Sequence, residues 1–303
     1  MKPIGVLVMA YGGPDKLEDV EPYLLDVRGG RPTSPAAVAE VREHYREIGG
    51  RSPILERTQA QAAALQQALG EPFRTFTGMR HWRPYIQDVL AEMTGSGIER
   101  AVALVMAPHY SRISVGVYYQ KIDQIQPRLD IRRIEQWHLL PGYLDALTGR
   151  VRAALGKFPA DMQADVPIVF TAHSLPQRIL TWNDPYPAQL RDTVAAVMQR
   201  LGAHAHEFAY QSAAMTPDPW LGPDVGQVVD KLAGHGQRHA LIAPIGFVCE
   251  HVEILYDIDV ALQRQARNHF MHLERTEMLN TAPAMIDGLA GLVRAEAAQA
   301  GWI

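Results

Sequence analysis

The sequence predicts an α/β protein made of two similar halves, each a parallel sheet flanked by helices, with a ligand cleft between them. Three observations carry that prediction. Short apolar runs alternate with longer amphipathic segments along the 303 residues, the pattern of parallel strands joined by crossover helices. The layout repeats, with four strand candidates before residue 157 and four after residue 165. Corresponding strands also end alike, in residues suited to binding.

The first apolar run, residues 4–10, reads as a buried strand that stops at Tyr11-Gly12-Gly13. Runs at 73–77, 101–107 and 131–136 complete one sheet, and 168–172, 207–211, 240–245 and 270–273 make the second. Helical spacing is clearest at 54–69, 85–93, 147–155, 187–201, 225–232, 250–266 and 284–298. Residues 35–46 add a helix-like stretch between Arg28-Gly29-Gly30-Arg31-Pro32 and Ile48-Gly49-Gly50-Arg51-Ser52-Pro53. Neither glycine-rich segment has the Gly-Lys-Ser/Thr of a P-loop, and no G-x-G-x-x-G follows a strand, so nucleotide binding is not indicated. The halves divide in the polar stretch 157–165, giving 1–157 and 158–303, with the last helix expected to pack back on the first half.

Composition narrows the function. Hydrophobic residues make up 47% of the chain, its formal net charge is -4, and it has no long basic run. That argues against a nucleic-acid partner. Cys249 is the only cysteine, so one chain cannot supply the four thiolates of an iron–sulfur cluster or a closed zinc site. The apolar N-terminal run is too short for a signal peptide, and nothing approaches a transmembrane helix of about 20 apolar residues. A cytoplasmic monomer is expected.

Ligands of open α/β sheets bind at the carboxyl ends of strands. The run 168–172 ends in His173-Ser174-Leu175-Pro176, placing an imidazole at such a position. A lone histidine there more often bonds a loop carbonyl than a ligand. A second segment shifts the balance: Gly246-Phe247-Val248-Cys249-Glu250-His251-Val252-Glu253-Ile254-Leu255-Tyr256-Asp257 also follows an apolar strand. Glu253 and Asp257 are four apart, on one face of a helix, while Asp259 points elsewhere. Acids set among so many apolar residues are costly unless paired, protonated or bound to a cation. One His and one Glu with open positions would hold a metal loosely enough to pass it on. In the proline-rich stretch 215–225, Trp220 plugs the core or walls a flat aromatic ligand.

The chain resembles the ferrochelatases, which insert Fe(II) into a porphyrin. The resemblance runs from Val8-Met9-Ala10-Tyr11-Gly12-Gly13-Pro14 to about Asp259. Its anchors are Tyr45-Arg46-Glu47-Ile48-Gly49-Gly50-Arg51-Ser52-Pro53, Ala107-Pro108-His109-Tyr110-Ser111, Thr171-Ala172-His173-Ser174-Leu175-Pro176, Asp184-Pro185-Tyr186-Pro187, Gln211-Ser212, the stretch 216–225 and the acidic segment. It implies two flavodoxin- or Rossmann-like halves around a porphyrin cleft, the type II chelatase fold. His173 and Glu253 are then the catalytic residues and Fe(II) ligands. Tyr11 stands where protoporphyrin-using members often carry methionine, which implies the branch that acts on coproporphyrin III to give iron coproporphyrin, with Tyr11 axial to the product iron. Arg28, Tyr45, Ser52, Tyr118 and Trp220 would contact the porphyrin, with Asp257 and His81 as accessory residues. Fe(II) is a substrate, no iron–sulfur cluster is expected, and a later enzyme of haem synthesis would receive the product. Two positions depart from the family pattern: His44 replaces a common Arg, and Ala261 replaces an acid found in some members. The competing readings are a protoporphyrin IX ferrochelatase, a haem carrier, a cobalt-inserting chelatase and a metal-dependent solute-binding protein.

Overall fold

In the computed structural model, which describes residues 2–214 and 218–303, the first strand is β1 (Ile4–Ala10), buried along its whole length. A strand covered on both faces reads as a continuous apolar run. β1 lies between β2 (Phe73–Met79) and β3 (Arg100–Val105), and β4 (Asp130–Ile134) completes a parallel sheet of order β2-β1-β3-β4. The second sheet comprises β5 (Ile168–His173), β6 (His206–Gln211), β7 (His239–Pro244) and β8 (His272–Arg275), in order β6-β5-β7-β8 and again parallel. The same order thus occurs twice, and it begins as the flavodoxin-like order does. The α/β class with two similar halves is the one the sequence predicts.

Helices of the first half are α1 (Val20–Val27), α2 (Pro35–Glu47), α3 (Ile54–Leu69), α4 (Ile86–Gly95), α5 (Val115–Ile125) and α6 (Pro141–Leu155). The remainder are α7 (Tyr186–Leu201), α8 (Val225–Gly234), α9 (Val252–Leu255), α10 (Gln263–Asn268) and α11 (Pro283–Gln299). Among the described residues no helix is long and apolar enough to cross a membrane. Met215, Thr216 and Pro217 of the proline-rich stretch lie outside the described residues.

Three local readings change. The expected helix 250–266 is not continuous: a π-helical turn, Asp257–Leu262, separates α9 from α10. Its mark is the Ala261 N–H donating to the Tyr256 carbonyl, five residues back, at 2.8 Å. The strand expected at 270–273 begins two residues later, because Phe270 sits in a left-handed turn (φ 55) and is 87% exposed. Two helices, α1 and α5, were not expected from the sequence. α5 is rich in valine, tyrosine and isoleucine, poor helix formers, yet Val115, Tyr118, Tyr119 and Ile122 are buried in a helical stripe.

One apolar cluster joins the halves. It runs from Ile4, Val6 and Val8 of β1 through Tyr143 and Val151 of α6 and Leu289 and Val293 of α11 to Phe170 of β5 and Leu241 of β7. α11 packs on α3 and α6. The contact with α6 needs Gly142, since a Cβ there would lie 1.9 Å from the Ala284 carbonyl oxygen.

His109 pins the halves together after β3. The Thr193 hydroxyl donates to the His138 carbonyl at 3.1 Å, so the His109 Nε2–H donates to Thr193 Oγ1 at 2.9 Å. Burial holds His109 down to about 3, with repulsion from His138 adding to it. The unfolded chain binds this proton near pH 6.5 and the folded protein does not. Stability is therefore full above about pH 6.5 and falls as pH drops toward 3, by about 1.4 kcal/mol per unit for this group. Denaturant titrations at pH 7.5 and 5.0 check it. His109→Gln is expected to lose less stability over that interval than wild type, and equal losses would rule out this origin.

Candidate active site

The carboxyl ends of β1 and β5 supply the first two groups. At the end of β1 the chain leaves the sheet at Tyr11, which is 38% exposed although the seven residues before it are buried. Backbone bonds from Arg80 N–H to the Ala10 carbonyl and from His81 N–H to the Tyr11 carbonyl, each 2.9 Å, extend the pairing past the end of β2. Gly12 then takes φ +94, and a Cβ there would lie 2.9 Å from the Trp82 backbone nitrogen. Only glycine combines that φ with so close an approach. Burial raises the Tyr11 phenol above its ordinary value; the Arg80 charge lowers it, and the charges of Glu253 and Asp26 raise it further. Tyr11 thus lies within the electrostatic reach of the second half's acid.

His173 is the last residue of β5. Its carbonyl accepts from the Tyr186 hydroxyl at 2.9 Å. The ring lies near-parallel to Trp220 (11°) and to Phe247 (28°), with centroids 6.4 Å away in each case. After β7, a Cβ on Gly246 would lie 2.9 Å from Ala172 Cβ, so glycine allows the following segment to pass close to β5. That segment ends in α9, which brings Glu253 Oε1 to 3.8 Å from His173 Nε2. The other oxygen, Oε2, is 3.7 Å from His251 Nε2. The His251 Nδ1–H donates to the Cys249 carbonyl at 3.2 Å, and Gln211 Nε2–H donates to the Glu253 carbonyl at 2.8 Å. These bonds hold the His251 ring and the Glu253 backbone, while Glu253 Oε2 is buried with no hydrogen-bond partner among the described residues.

The carboxylates Glu253 and Asp257 have opposite electrostatics. Burial pushes Glu253 up, but the charges of His173 and His251 outweigh it, leaving it at about 2. Burial pushes Asp257 up to about 6; the Ser212 hydroxyl, which donates to it, works against this, and the Glu253 charge adds to the rise. Near neutral pH Glu253 is an anion, while Asp257 can hold or release a proton. Environments that split two acids in this way are typical of proton-handling sites. Asp259 points away and pairs with Arg275 at 2.6 Å, as the spacing predicts. A cavity of about 290 Å³ borders Asp257 and Ser212, with Asp224 and Gln265 on its wall.

The other expected residues differ in exposure. Arg28 stands on the exposed turn after α1. Ser52 is half-buried, its backbone N–H bound to the Pro14 carbonyl at 2.9 Å. Tyr45 (2% exposed) and Tyr118 (5%) lie beneath the surface. His44, stacked on Tyr256 at 3.7 Å, lies at the end of α2 beside the acidic segment. Cys249 is buried against Ala10, Ile54 and Met79. Among the described residues no three or more His, Cys, Asp or Glu are grouped to hold a metal ion.

Sequence reasoning gave no role to Gln211, His251, Arg80 or Asp26. Arg80 is the most telling of these. Its guanidinium lies 5.6 Å from the Tyr11 ring centroid and 5.5 Å from that of Tyr118, and it pairs with no carboxylate among the described residues. Its place next to His81 at the end of β2 was the available signal.

The family model for ferrochelatase matches residues 3–297. The chain belongs to the ferrochelatase family. As a ferrochelatase it is an enzyme that inserts a metal ion into a porphyrin. It is 43% identical to the ferrochelatase of Deinococcus radiodurans, over 98% of this chain and 97% of that one. It is 36% identical to the coproporphyrin III ferrochelatase of Geobacillus thermodenitrificans, over 99% and 98%. Among solved structures, SirB from Bacillus subtilis with Fe3+ superposes with a TM-score of 0.62 at 12% identity, covering 99% of this ferrochelatase and 98% of SirB. At that identity the likeness concerns the fold, the two-half type II chelatase arrangement.

Proposed function

We propose that this ferrochelatase acts on coproporphyrin III and holds iron coproporphyrin through the Tyr11 oxygen. The observation that carries this reading is the placement of Tyr11, a partly exposed side chain at the end of β1 whose phenol lies within reach of the Glu253 charge. A hard oxygen donor there suits iron as an axial ligand. Arg28 and Arg80 add two cations with no carboxylate partner among the described residues, as a substrate rich in carboxylates requires. The relatives named coproporphyrin III ferrochelatases, which match nearly end to end, favour the same substrate.

Two pyrrole protons leave as ferrous iron enters. Iron arrives as substrate, and His173 Nε2 and Glu253 Oε1, 3.8 Å apart, can both reach one ion, since divalent first-row metals bind such atoms at about 2.0–2.2 Å. As iron passes to the porphyrin nitrogens, His173 Nε2 and the Glu253 carboxylate are released and can accept the two departing protons. Trp220, parallel to His173, supports a macrocycle held against that face. Bending it exposes a nitrogen lone pair, and contacts at its periphery supply the strain. In the same reading the enzyme works as a cytoplasmic monomer without an iron–sulfur cluster and passes its product to a later enzyme of haem synthesis.

Absorption spectra of the complex with ferric coproporphyrin test the Tyr11 assignment. Wild type is expected to show a phenolate-to-iron charge-transfer band that Tyr11→Phe lacks. Identical spectra would remove Tyr11 from the iron.

A further inference from the structure

Behind Tyr11 stands a carboxylate–imidazole pair that the chemistry above does not use. Asp26, on α1, accepts a hydrogen bond from His81 Nδ1–H at 2.9 Å across 55 positions of sequence. The His81 backbone N–H donates to the Tyr11 carbonyl, and the two rings lie 4.7 Å apart between centroids, tilted by 53°. With Nδ1–H given to the carboxylate, the neutral ring carries its lone pair on Nε2. That nitrogen is buried, with no hydrogen-bond partner among the described residues. The His81 side chain is only 12% exposed. Turning the ring away from Asp26 would leave a second buried nitrogen unpaired, so the carboxylate fixes the imidazole face that Tyr11 packs on.

We propose that Asp26 is a positioning residue for the metal-facing phenol: acting through His81, it restricts Tyr11 to the rotamer that presents its oxygen to iron. This rests on the reading of Tyr11 as the iron ligand. A phenol anchored only by its backbone samples several staggered rotamers, whereas one packed on an immobilised ring samples fewer. Outer partners that orient a metal-binding side chain in this way influence the metal site without touching it. The pair also ties α1, which leads into Arg28, to the strand end that carries Tyr11. Substrate grip and iron ligation thus share one anchor.

The test is a titration of the full chain with ferric coproporphyrin, followed by absorption and electron paramagnetic resonance, for wild type, Asp26→Asn, Asp26→Ala and Tyr11→Phe. The Asp26 side chain is 32% exposed, so its truncation leaves little unfilled space, and thermal melting verifies the fold. Asn keeps an acceptor for Nδ1–H. Wild type and Asp26→Asn are expected to give one phenolate-ligated species. Asp26→Ala is expected to give a mixture in which that species falls several-fold, with a raised KM for porphyrin and a melting temperature lowered by only a few degrees, the cost of leaving Nδ1–H without its acceptor. A wild-type spectrum from Asp26→Ala overturns the proposal, as does equal loss in Asp26→Asn and Asp26→Ala, which would assign the effect to charge rather than orientation. A phenolate band that survives Tyr11→Phe would instead overturn the ligand reading beneath it.

Discussion

His173→Ala and Glu253→Gln are each expected to fold normally and lose turnover by about 10²–10⁴-fold, the usual cost of removing a general base. In activation free energy that is about 2.7–5.5 kcal/mol. Neither side chain holds the fold. His173 keeps its backbone pairing to Gln211 and the bond from Tyr186 whatever its side chain, and the bond from Gln211 to Glu253 uses the acid's carbonyl. The loss is of the pair itself, a nitrogen and an anionic oxygen 3.8 Å apart. Glu253→Gln also removes a charge that helps raise Asp257, so that acid should move back toward its ordinary value. Steady-state turnover under saturating Fe(II), with circular dichroism as the control for folding, checks both variants. Near-normal turnover in either would remove that residue from the reaction.

Much of this architecture is legible in the chain because parallel strands buried on both faces leave continuous apolar runs. β1 and β5 stand out on that basis. The residue that closes each run, Tyr11 or His173, is then placed by the rule that ligands bind at the carboxyl ends of strands. Glu253 is legible for another reason: an acid inside an apolar segment needs a partner. The π-helical turn is not legible, because it depends on which carbonyl Ala261 N–H selects and leaves no mark in residue spacing. Nor is the Asp26–His81 bond, which joins residues 55 positions apart. The low exposure of Tyr45 and Tyr118 escapes a sequence reading too, since it reflects how α2 packs beside α1 and how α5 settles on the first sheet.

The choice of porphyrin, on which the proposed function turns, carries the other large effect. Coproporphyrin III has four propionates where protoporphyrin IX has two. A hydrogen bond to a charged group contributes about 1.5–3 kcal/mol, and every 1.4 kcal/mol is a factor of ten. Two further propionates gripped by groups such as Arg28, Ser52 and Arg80 therefore shift selectivity by orders of magnitude, provided they are not left in water. The direct measurement is kcat/KM for Fe(II) insertion with each porphyrin under identical conditions. Coproporphyrin III is expected to give a value at least ten-fold above that for protoporphyrin IX, with the gap narrowing in Arg80→Gln. Equal or better efficiency with protoporphyrin IX would contradict the proposed function.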